Sequence, residues 1–415
     1  MISYERYVLP NGLTVILHHD ASTPIVAMNI LYKVGARNEV ETKTGFAHLF
    51  EHLMFGGSVN IPVYDEPLQR AGGENNAFTS NDFTNYYLTL PKQNFETACW
   101  LESDRMMQLA FSEKSLDVQR HVVIEEFKQR YLNQPYGDAW LYLRPLCYTT
   151  HPYKWATIGK EISHIEDATL EDVKSFFAKY YHPANAILSV AGDIDFGYTK
   201  TLIENWFGNI KQQALEISPL PQEPKQTELR RQILERDVPA SAIYFAFHCC
   251  SRYDKEFYAT DLLSDILSRG KSSRLYFQLV KQKKIFATIS AYMLGELDKS
   301  LFIIEGRLND GKTFAEAEKA VDEVLQEIMD GKIDDRELQK VKQQVEASLV
   351  FNELGVANKA LNLCYYDMLG DVAAVNEQAE KYNDITKQDL ANIAQQIFAK
   401  DNTNILCYQP ITKTN

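Results

Sequence analysis

The sequence contains no long apolar run, and it nowhere reaches the ~18 to 20 consecutive apolar residues that a membrane-spanning helix needs. It also has no excess of basic residues, since 43 Lys and Arg face 56 Asp and Glu for a formal net charge of −13. An acidic surface repels the phosphates of nucleic acids and of anionic lipids. Nucleic acid and membranes are therefore not the partners that we expect.

Cysteine is scarce and shows no pattern typical of a disulfide framework or a zinc ribbon. None of the six cysteines stands in a Cys-x-x-Cys spacing, and they lie at Cys99, Cys147, Cys249, Cys250, Cys364 and Cys407. The chain opens MISYERYVLPNG, without the basic and then apolar stretch of a secretory leader. We expect buried thiols in the reducing cytoplasm, or a periplasmic protein if a leader has been trimmed.

The length and composition are those of a folded protein with more than one core. The chain has 415 residues, of which 45 % are hydrophobic and 24 % charged, and this length corresponds to roughly two to three domains. Residues 212–228 contain Pro219, Pro221 and Pro224 among polar neighbours, which prevents a packed helix or central strand. We predict an N-terminal domain at residues 1–211, a linker at residues 212–228 and a C-terminal domain at residues 229–415.

Both predicted domains combine short strand patterns with amphipathic helix patterns. Examples are a strand at residues 242–249 and a helix at residues 170–180. Each half also ends alike: Thr169 and Thr386 can each cap a helix that runs to Phe-Ala-Lys, with an apolar strand after it. These features predict an α+β fold of two homologous domains, each with a mostly antiparallel sheet covered by helices.

The most informative segment is TGFAHLFEHLMFGG, at residues 44–57. We expect a short helix that Thr44 caps and Gly56-Gly57 end. The segment is apolar almost all round, so the helix should be buried.

Three ionisable residues lie within this apolar helix. His48 and His52 are four residues apart and share one helix face, with Glu51 beside them. Their burial is costly unless something compensates it, and zinc held by two neutral imidazoles would do so. The alternative is a core helix whose histidines bond to backbone, which explains one histidine better than three polar groups in register. We therefore predict an inverted metallopeptidase motif, His-x-x-Glu-His, with zinc on the histidines.

A third protein ligand is expected for a catalytic zinc site, and residues 115–130 supply the candidates. The predicted inward face of this helical stretch includes Val122 and Val123. Glu126 shares that face, whereas Glu125 points further away. The pattern favours Glu126, and His121 stays open as an alternative.

With these motifs in place, the sequence resembles the pitrilysin and insulinase family of zinc peptidases, which includes the mitochondrial processing peptidase. The resemblance covers nearly the whole chain and implies two homologous α+β domains and Glu126 as the third ligand. The matching segments are residues 45–55, RHVVIEEFKQR at 120–130, GGENNAFTSNDFTNYY at 72–87, HPY at 151–153, YHPANAILSVAGD at 181–193 and SSRLYFQL at 272–279.

The resemblance implies a Zn²⁺-dependent endopeptidase acting on small or unfolded polypeptides inside a chamber. Glu51 would be the catalytic base. By pattern alone, residues 75–80 would be an ordinary sheet edge. The family match instead implies that Asn76, Ala77 and Phe78 pair with the substrate backbone.

The sequence departs from the family at three positions. Gln119 stands where relatives carry a second glutamate, and Val280 and Ala287 stand where active relatives carry a substrate-holding arginine and tyrosine. We therefore expect the metal-bearing subunit of a heterodimer, completed by a second chain of the same family. The alternatives are a homodimer using other donors, such as Arg252 and Tyr253, and a non-catalytic scaffold subunit.

Overall fold

The computed structural model describes residues 1–211 and 219–411. Part of the predicted linker, residues 212–218, lies outside the described residues, so the predicted domain boundaries stay a prediction. The described residues pack into two compact units. Unit 1 falls within residues 1–127, 155–220 and 350–377, and unit 2 within residues 128–154, 221–349 and 378–415.

The strands of the described part form one sheet in each unit. They are β1 Glu5–Val8, β2 Thr14–His19, β3 Ile25–Tyr32, β4 Glu74–Thr79, β5 Thr84–Pro91, β6 Ala186–Gly192, β7 Arg230–Arg236, β8 Ala242–His248, β9 Phe286–Met293, β10 Leu301–Leu308 and β11 Thr403–Pro410. The strand order is β1-β2-β6-β3-β5-β4 in unit 1 and β7-β11-β8-β10-β9 in unit 2. Neighbours are antiparallel except for β2 with β6 and β7 with β11.

Helices pack against these sheets. They are α1 Phe46–Leu53, α2 Asp65–Arg70, α3 Phe95–Met107, α4 Glu113–Phe127, α5 Ala139–Cys147, α6 Ser163–Glu166, α7 Leu170–Tyr180, α8 Phe196–Phe207, α9 Phe257–Ser268, α10 Phe314–Met329, α11 Asp335–Asn352, α12 Val356–Met368, α13 Gln378–Asn383 and α14 Lys387–Ile397. None of the described helices is long and apolar enough to cross a membrane.

The same element order occurs in both units. Without β1, the order in unit 1 becomes β2-β6-β3-β5-β4, which matches unit 2 strand for strand. The helices that precede the last strand of each sheet also match. Thr169 and Thr386 both accept a hydrogen bond from the third helical amide, as predicted. The predicted α+β class with two mostly antiparallel sheets is confirmed.

Each half of the sequence contributes one helix to the unit of the other half. The second half supplies α12 to unit 1, where Leu363 is fully buried and Ser189 Oγ on β6 donates to Ala360 O at 2.5 Å. The first half supplies α5 to unit 2, where Leu143 is fully buried and packs with Leu406 of β11. Each compact unit therefore combines segments from both halves of the sequence.

Other sequence predictions are met in part. All six cysteines are free thiols, five of them buried and Cys250 half-buried. On α4, Val123 is buried as expected, but Val122 is 45 % exposed, so its assignment to the inward face was wrong. Its apolar side chain lies on the outer face of the helix, which a hydrophobic pattern alone does not reveal.

Candidate metal centre

The helix that carries the motif begins after Gly45 and not after Thr44. Gly45 takes a left-handed conformation at φ +85°, and Leu49 N donates to Gly45 O at 2.9 Å. Thr44 Oγ1 instead accepts from Lys160 N at 2.8 Å and contacts His164 Nδ1 at 2.8 Å. The predicted Thr44 cap is therefore wrong, because its hydroxyl is used by a different loop.

The far end of α1 also differs slightly from expectation. The helix ends at Leu53, and the predicted Gly56-Gly57 stop follows in the turn beyond it. Gly57 lies at φ +99°, where a Cβ would stand 2.5 Å from Pro62 O, so only glycine fits there.

The apolar residues of α1 anchor it in unit 1. Its buried side chains include Phe46, Leu49 and Phe50. The Phe50 ring stacks on Phe176 of α7 at 4.8 Å and on Tyr181 at 5.1 Å between centroids. This packing holds one side of the helix, while the side with the two histidines is partly open.

Three predicted ligands converge between α1 and α4. Glu126 Oε2 lies 3.7 Å from His48 Nε2 and 3.4 Å from His52 Nε2. These separations exceed an ordinary N–H···O hydrogen bond of about 2.9 Å. They are close to the spacing of about 3.4 Å between atoms that share a tetrahedral zinc ion with bonds of about 2.1 Å. Within residues 1–211 and 219–411, this is the one group of three or more His, Cys, Asp or Glu whose ligand atoms all lie within 4.8 Å of one another.

The donor set also fits zinc chemically. Two imidazoles and one carboxylate are a common catalytic ligand set that leaves a further position open. All three side chains are partly buried. The geometry and the donor chemistry of His48, His52 and Glu126 thus fit zinc.

The two competing residues on α4 lie outside this cluster. The side chain of His121 is 73 % exposed, and its Nδ1 lies 2.8 Å from Asp117 O on the same helix. Glu125 is also exposed, whereas the Glu126 side chain is only 19 % exposed. The structure therefore brings Glu126 to the histidines and leaves the other two aside.

Glu51 is held beside the cluster by the end of strand β4. Thr79 Oγ1 donates to Glu51 Oε2 at 2.6 Å. Burial raises the pKa of Glu51, and the charge of Glu126 raises it further. The hydrogen bond from Thr79 and the charge of His52 lower this pKa and so oppose the rise. A carboxylate with one oxygen fixed and a raised pKa is suited to accepting and returning a proton.

Asn76, Ala77 and Phe78 lie in β4, which is the edge strand of its sheet. They pair on one side only, with Tyr87, Tyr86 and Asn85 of β5. The other edge of β4 is not hydrogen-bonded to any described strand.

In unit 2, Val280 is partly buried against the core, and Ala287 is exposed on β9. The alternative donor Arg252 is buried, with its guanidinium 3.9 Å from the Phe257 ring centroid, and Tyr253 is 58 % exposed. Gln119 is half-buried on α4.

The sequence did not indicate the roles of two residues at the site, Thr79 and Glu39. Thr79 stands next to the predicted substrate strand residues, but nothing local indicates that its hydroxyl reaches Glu51, 28 positions away. Glu39 accepts hydrogen bonds from Gly45 N and Ala47 N at the start of α1. An acidic residue shortly before the helix was the available signal, and Thr44 offered a more usual cap.

A buried helix with His-x-x-Glu-His, a distant glutamate facing it and a repeated α+β fold define a metallopeptidase-like protein of the inverted-motif class. Two family models match the chain: insulinase (peptidase family M16) over residues 14–135, and the peptidase M16 inactive domain over residues 167–345. The chain belongs to the insulinase family, peptidase family M16.

Known relatives share the fold, and the two from Helicobacter pylori also share the length. The zinc protease PqqE of Helicobacter pylori is 29 % identical over 413 residues, covering 98 % of this chain and 93 % of its own. The crystal structure of a protease from Helicobacter pylori matches with a TM-score of 0.92 and 30 % identity, over 99 % of this chain and 100 % of the other. The periplasmic protease PqqL from Escherichia coli shares the fold, with a TM-score of 0.79 and 20 % identity over 98 % of this chain and 47 % of PqqL.

Proposed function

We propose that this chain is a zinc-dependent endopeptidase that hydrolyses small or unfolded polypeptides. The observation that carries the proposal is the convergence of His48 Nε2, His52 Nε2 and Glu126 Oε2 at ligand spacing. Relatives named zinc proteases support it.

His48, His52 and Glu126 would hold the ion. Zinc, when bound, supplies Lewis-acid polarisation of the scissile carbonyl and makes water a better nucleophile at neutral pH. Glu51 takes a proton from the attacking water and later gives a proton to the departing amide nitrogen. The hydrogen bond from Thr79 Oγ1 to Glu51 Oε2 orients the carboxylate for this transfer.

The substrate binds as an added strand. The open edge of β4, along Asn76, Ala77 and Phe78, presents the backbone groups of alternate residues, with which an extended peptide can pair. Main-chain pairing tolerates many sequences but requires an extended segment, which folded proteins seldom offer. Thr79 ends this same strand, so the bound peptide would lie close to Glu51.

The active form is a heterodimer with a second chain of this family. The side chains of Val280 and Ala287 cannot donate hydrogen bonds to a substrate carbonyl. Arg252 is buried against Phe257. This position argues against Arg252 as the substrate-binding donor of a homodimer. A partner that carries the arginine and tyrosine would supply the donors that this chain lacks.

The competing function is a non-catalytic scaffold subunit. It is considered because the peptidase M16 inactive-domain model matches residues 167–345. Zinc stoichiometry and cleavage of unfolded casein distinguish the two, with the Glu51→Gln variant as the matched control. Stoichiometric zinc together with Glu51-dependent cleavage, weak alone and strong with the partner chain, supports the proposal. A chain without zinc and without cleavage, alone or with the partner, is a scaffold. Cleavage by the lone chain at rates typical of its relatives would rule out the required heterodimer.

For the compartment we propose the cytoplasm, because the six thiols are free. The alternative is the periplasm, where PqqL of Escherichia coli acts. Cell fractionation with an antibody to this chain separates the two.

A further inference from the structure

The first turn of α1 receives its cap from outside the helix. Gly45 has no side chain to offer, and Thr44 Oγ1 is occupied by Lys160 N. The first amides of a helix have no partner within the helix and need acceptors when they are buried. Ala47, on this first turn, is fully buried.

Glu39 supplies these acceptors with both carboxylate oxygens. Its Oε2 accepts from Gly45 N at 2.9 Å and its Oε1 from Ala47 N at 2.8 Å. The residue is only 7 % exposed, so the two bonds are shielded from water.

The position of Glu39 is itself fixed. Glu39 N donates to Ala36 O at 3.2 Å within a tight turn, and Trp155 Nε1 donates to Ala36 O at 3.0 Å. A Cβ on Gly45 would lie 2.6 Å from Ile158 O, so the backbone at the start of α1 is closely packed as well. The cap therefore ties α1 to a rigid loop.

The capped turn leads directly into the metal motif. Ala47 immediately precedes His48, and His52 follows one turn later on the same face. A metal site tolerates displacements of only about 0.5 Å in the positions of its ligand atoms. A shift in the first turn would move both imidazoles relative to Glu126, which belongs to a different helix.

We propose that Glu39 is a positioning residue that caps the motif helix and sets His48 and His52 for metal binding. This inference rests on the proposed zinc function. It adds a residue that touches neither metal nor substrate and acts through the backbone of α1.

Two variants test it, Glu39→Ala and Glu39→Gln, with Thr386→Ala as the matched control that removes a helix cap in unit 2. The readouts are zinc retention against a chromophoric chelator and hydrogen exchange of the α1 amides in metal-free protein. Glu39→Ala should weaken zinc retention about 10- to 100-fold and speed exchange across residues 45–49. Glu39→Gln, which keeps one acceptor oxygen, should lie between it and the wild type, and Thr386→Ala should change neither readout.

Wild-type zinc retention in folded Glu39→Ala protein overturns the inference, as does an equal loss in Thr386→Ala. If Glu39→Ala does not fold, Glu39→Gln decides by the same criteria. If the wild type binds no zinc, the proposed function fails. Exchange at residues 45–49 then shows separately whether Glu39 caps the helix.

Discussion

The two units are built from the same elements, yet within the described residues only unit 1 brings metal-binding side chains together. The clearest contrast is between α1 and α9, which follow the corresponding strands β3 and β8. Both helices are packed into a core and both carry ionisable residues four positions apart. In α1 the pair is His48 and His52, and in α9 it is Asp261 and Asp265.

The acidic pair of α9 is satisfied by the protein itself. Tyr382 Oη donates to Asp261 Oδ2 at 2.6 Å, and Arg269 Nη1 donates to Asp265 Oδ2 at 2.7 Å. Burial raises the pKa of both carboxyl groups, and these partners oppose that rise. The fold therefore accepts a pair of buried ionisable side chains when each has a partner within the protein. In α1 the side chains instead face Glu126 at the spacing of metal ligands.

The prediction with the largest effect concerns catalysis by Glu51 on α1, compared with Asp261 on α9. Glu51→Gln should retain zinc but lower the turnover of an unfolded peptide by about 100-fold or more, because the variant has no general base. Asp261→Asn, in the matching helix of unit 2, should leave turnover unchanged. Both are measured with the active assembly and a fluorogenic peptide. Full activity in zinc-loaded Glu51→Gln protein would remove the catalytic assignment, and an equal loss in Asp261→Asn would remove the contrast.

The second prediction concerns the third ligand. Glu126→Gln should weaken zinc retention by at least about 100-fold, because loss of a supporting partner alone costs about 10- to 100-fold. Glu125→Gln changes the neighbouring, exposed carboxylate and should retain zinc like the wild type. The measurement is zinc content after dialysis against a mild chelator. Equal stoichiometry in the two variants would show that Glu126 is not the ligand.

The third prediction tests the exchange of helices between sequence halves. Leu363→Ala on α12 and Leu143→Ala on α5 each remove a fully buried side chain and should lower the free energy of unfolding by about 2 to 5 kcal/mol. Hydrogen exchange should rise first in the unit that receives the helix. Leu363→Ala should thus affect β3 and β6, which belong to the other half of the sequence. If Leu363→Ala sped hydrogen exchange only in β8 and β11, the assignment of α12 to unit 1 would be contradicted.

The smallest effect concerns the paired caps of α7 and α14. Thr169→Ala and Thr386→Ala should each lower the free energy of unfolding by about 1 kcal/mol. Hydrogen bonds from Lys43 and Thr169 lower the pKa of Asp172, and Thr386 lowers the pKa of Asp389. A lowered folded-state pKa stabilises above the unfolded value of about 3.9 and loses that contribution as the pH falls through the folded-state pKa.

The cost of Thr386→Ala should therefore shrink on acidification, as urea denaturation at pH 6 and pH 3 would show. A cost that is unchanged between the two pH values would mean that the capping box contributes nothing through Asp389.

Local patterns predicted the elements that local forces determine. The helix at 170–180 has the predicted bounds because a capping box starts it, and the motif helix was found because its polar residues share one face. What the sequence did not reveal depends on contacts between distant segments. Glu39 replaced Thr44 as the cap of α1, because Thr44 bonds to Lys160 across 116 positions.

The exchange of α5 and α12 has the same origin. Each of these helices has an apolar face that could pack against either sheet. The hydrophobic periodicity therefore does not indicate which sheet the helix packs against. Glu126 shows the intermediate case. The pattern placed it on the inward face of α4, but only the packing of α4 against α1 brings it to the two histidines.

The most direct test of zinc binding by His48, His52 and Glu126 is X-ray absorption spectroscopy at the zinc edge on the purified, zinc-loaded chain, together with its metal content. We predict one zinc per chain, bound by two imidazole nitrogens, with oxygen ligands completing the set and no sulfur. The double variant His48→Ala/His52→Ala should lose the signal. A chain that takes up no zinc, or a spectrum with sulfur ligands from the cysteines, would contradict the assignment to His48, His52 and Glu126.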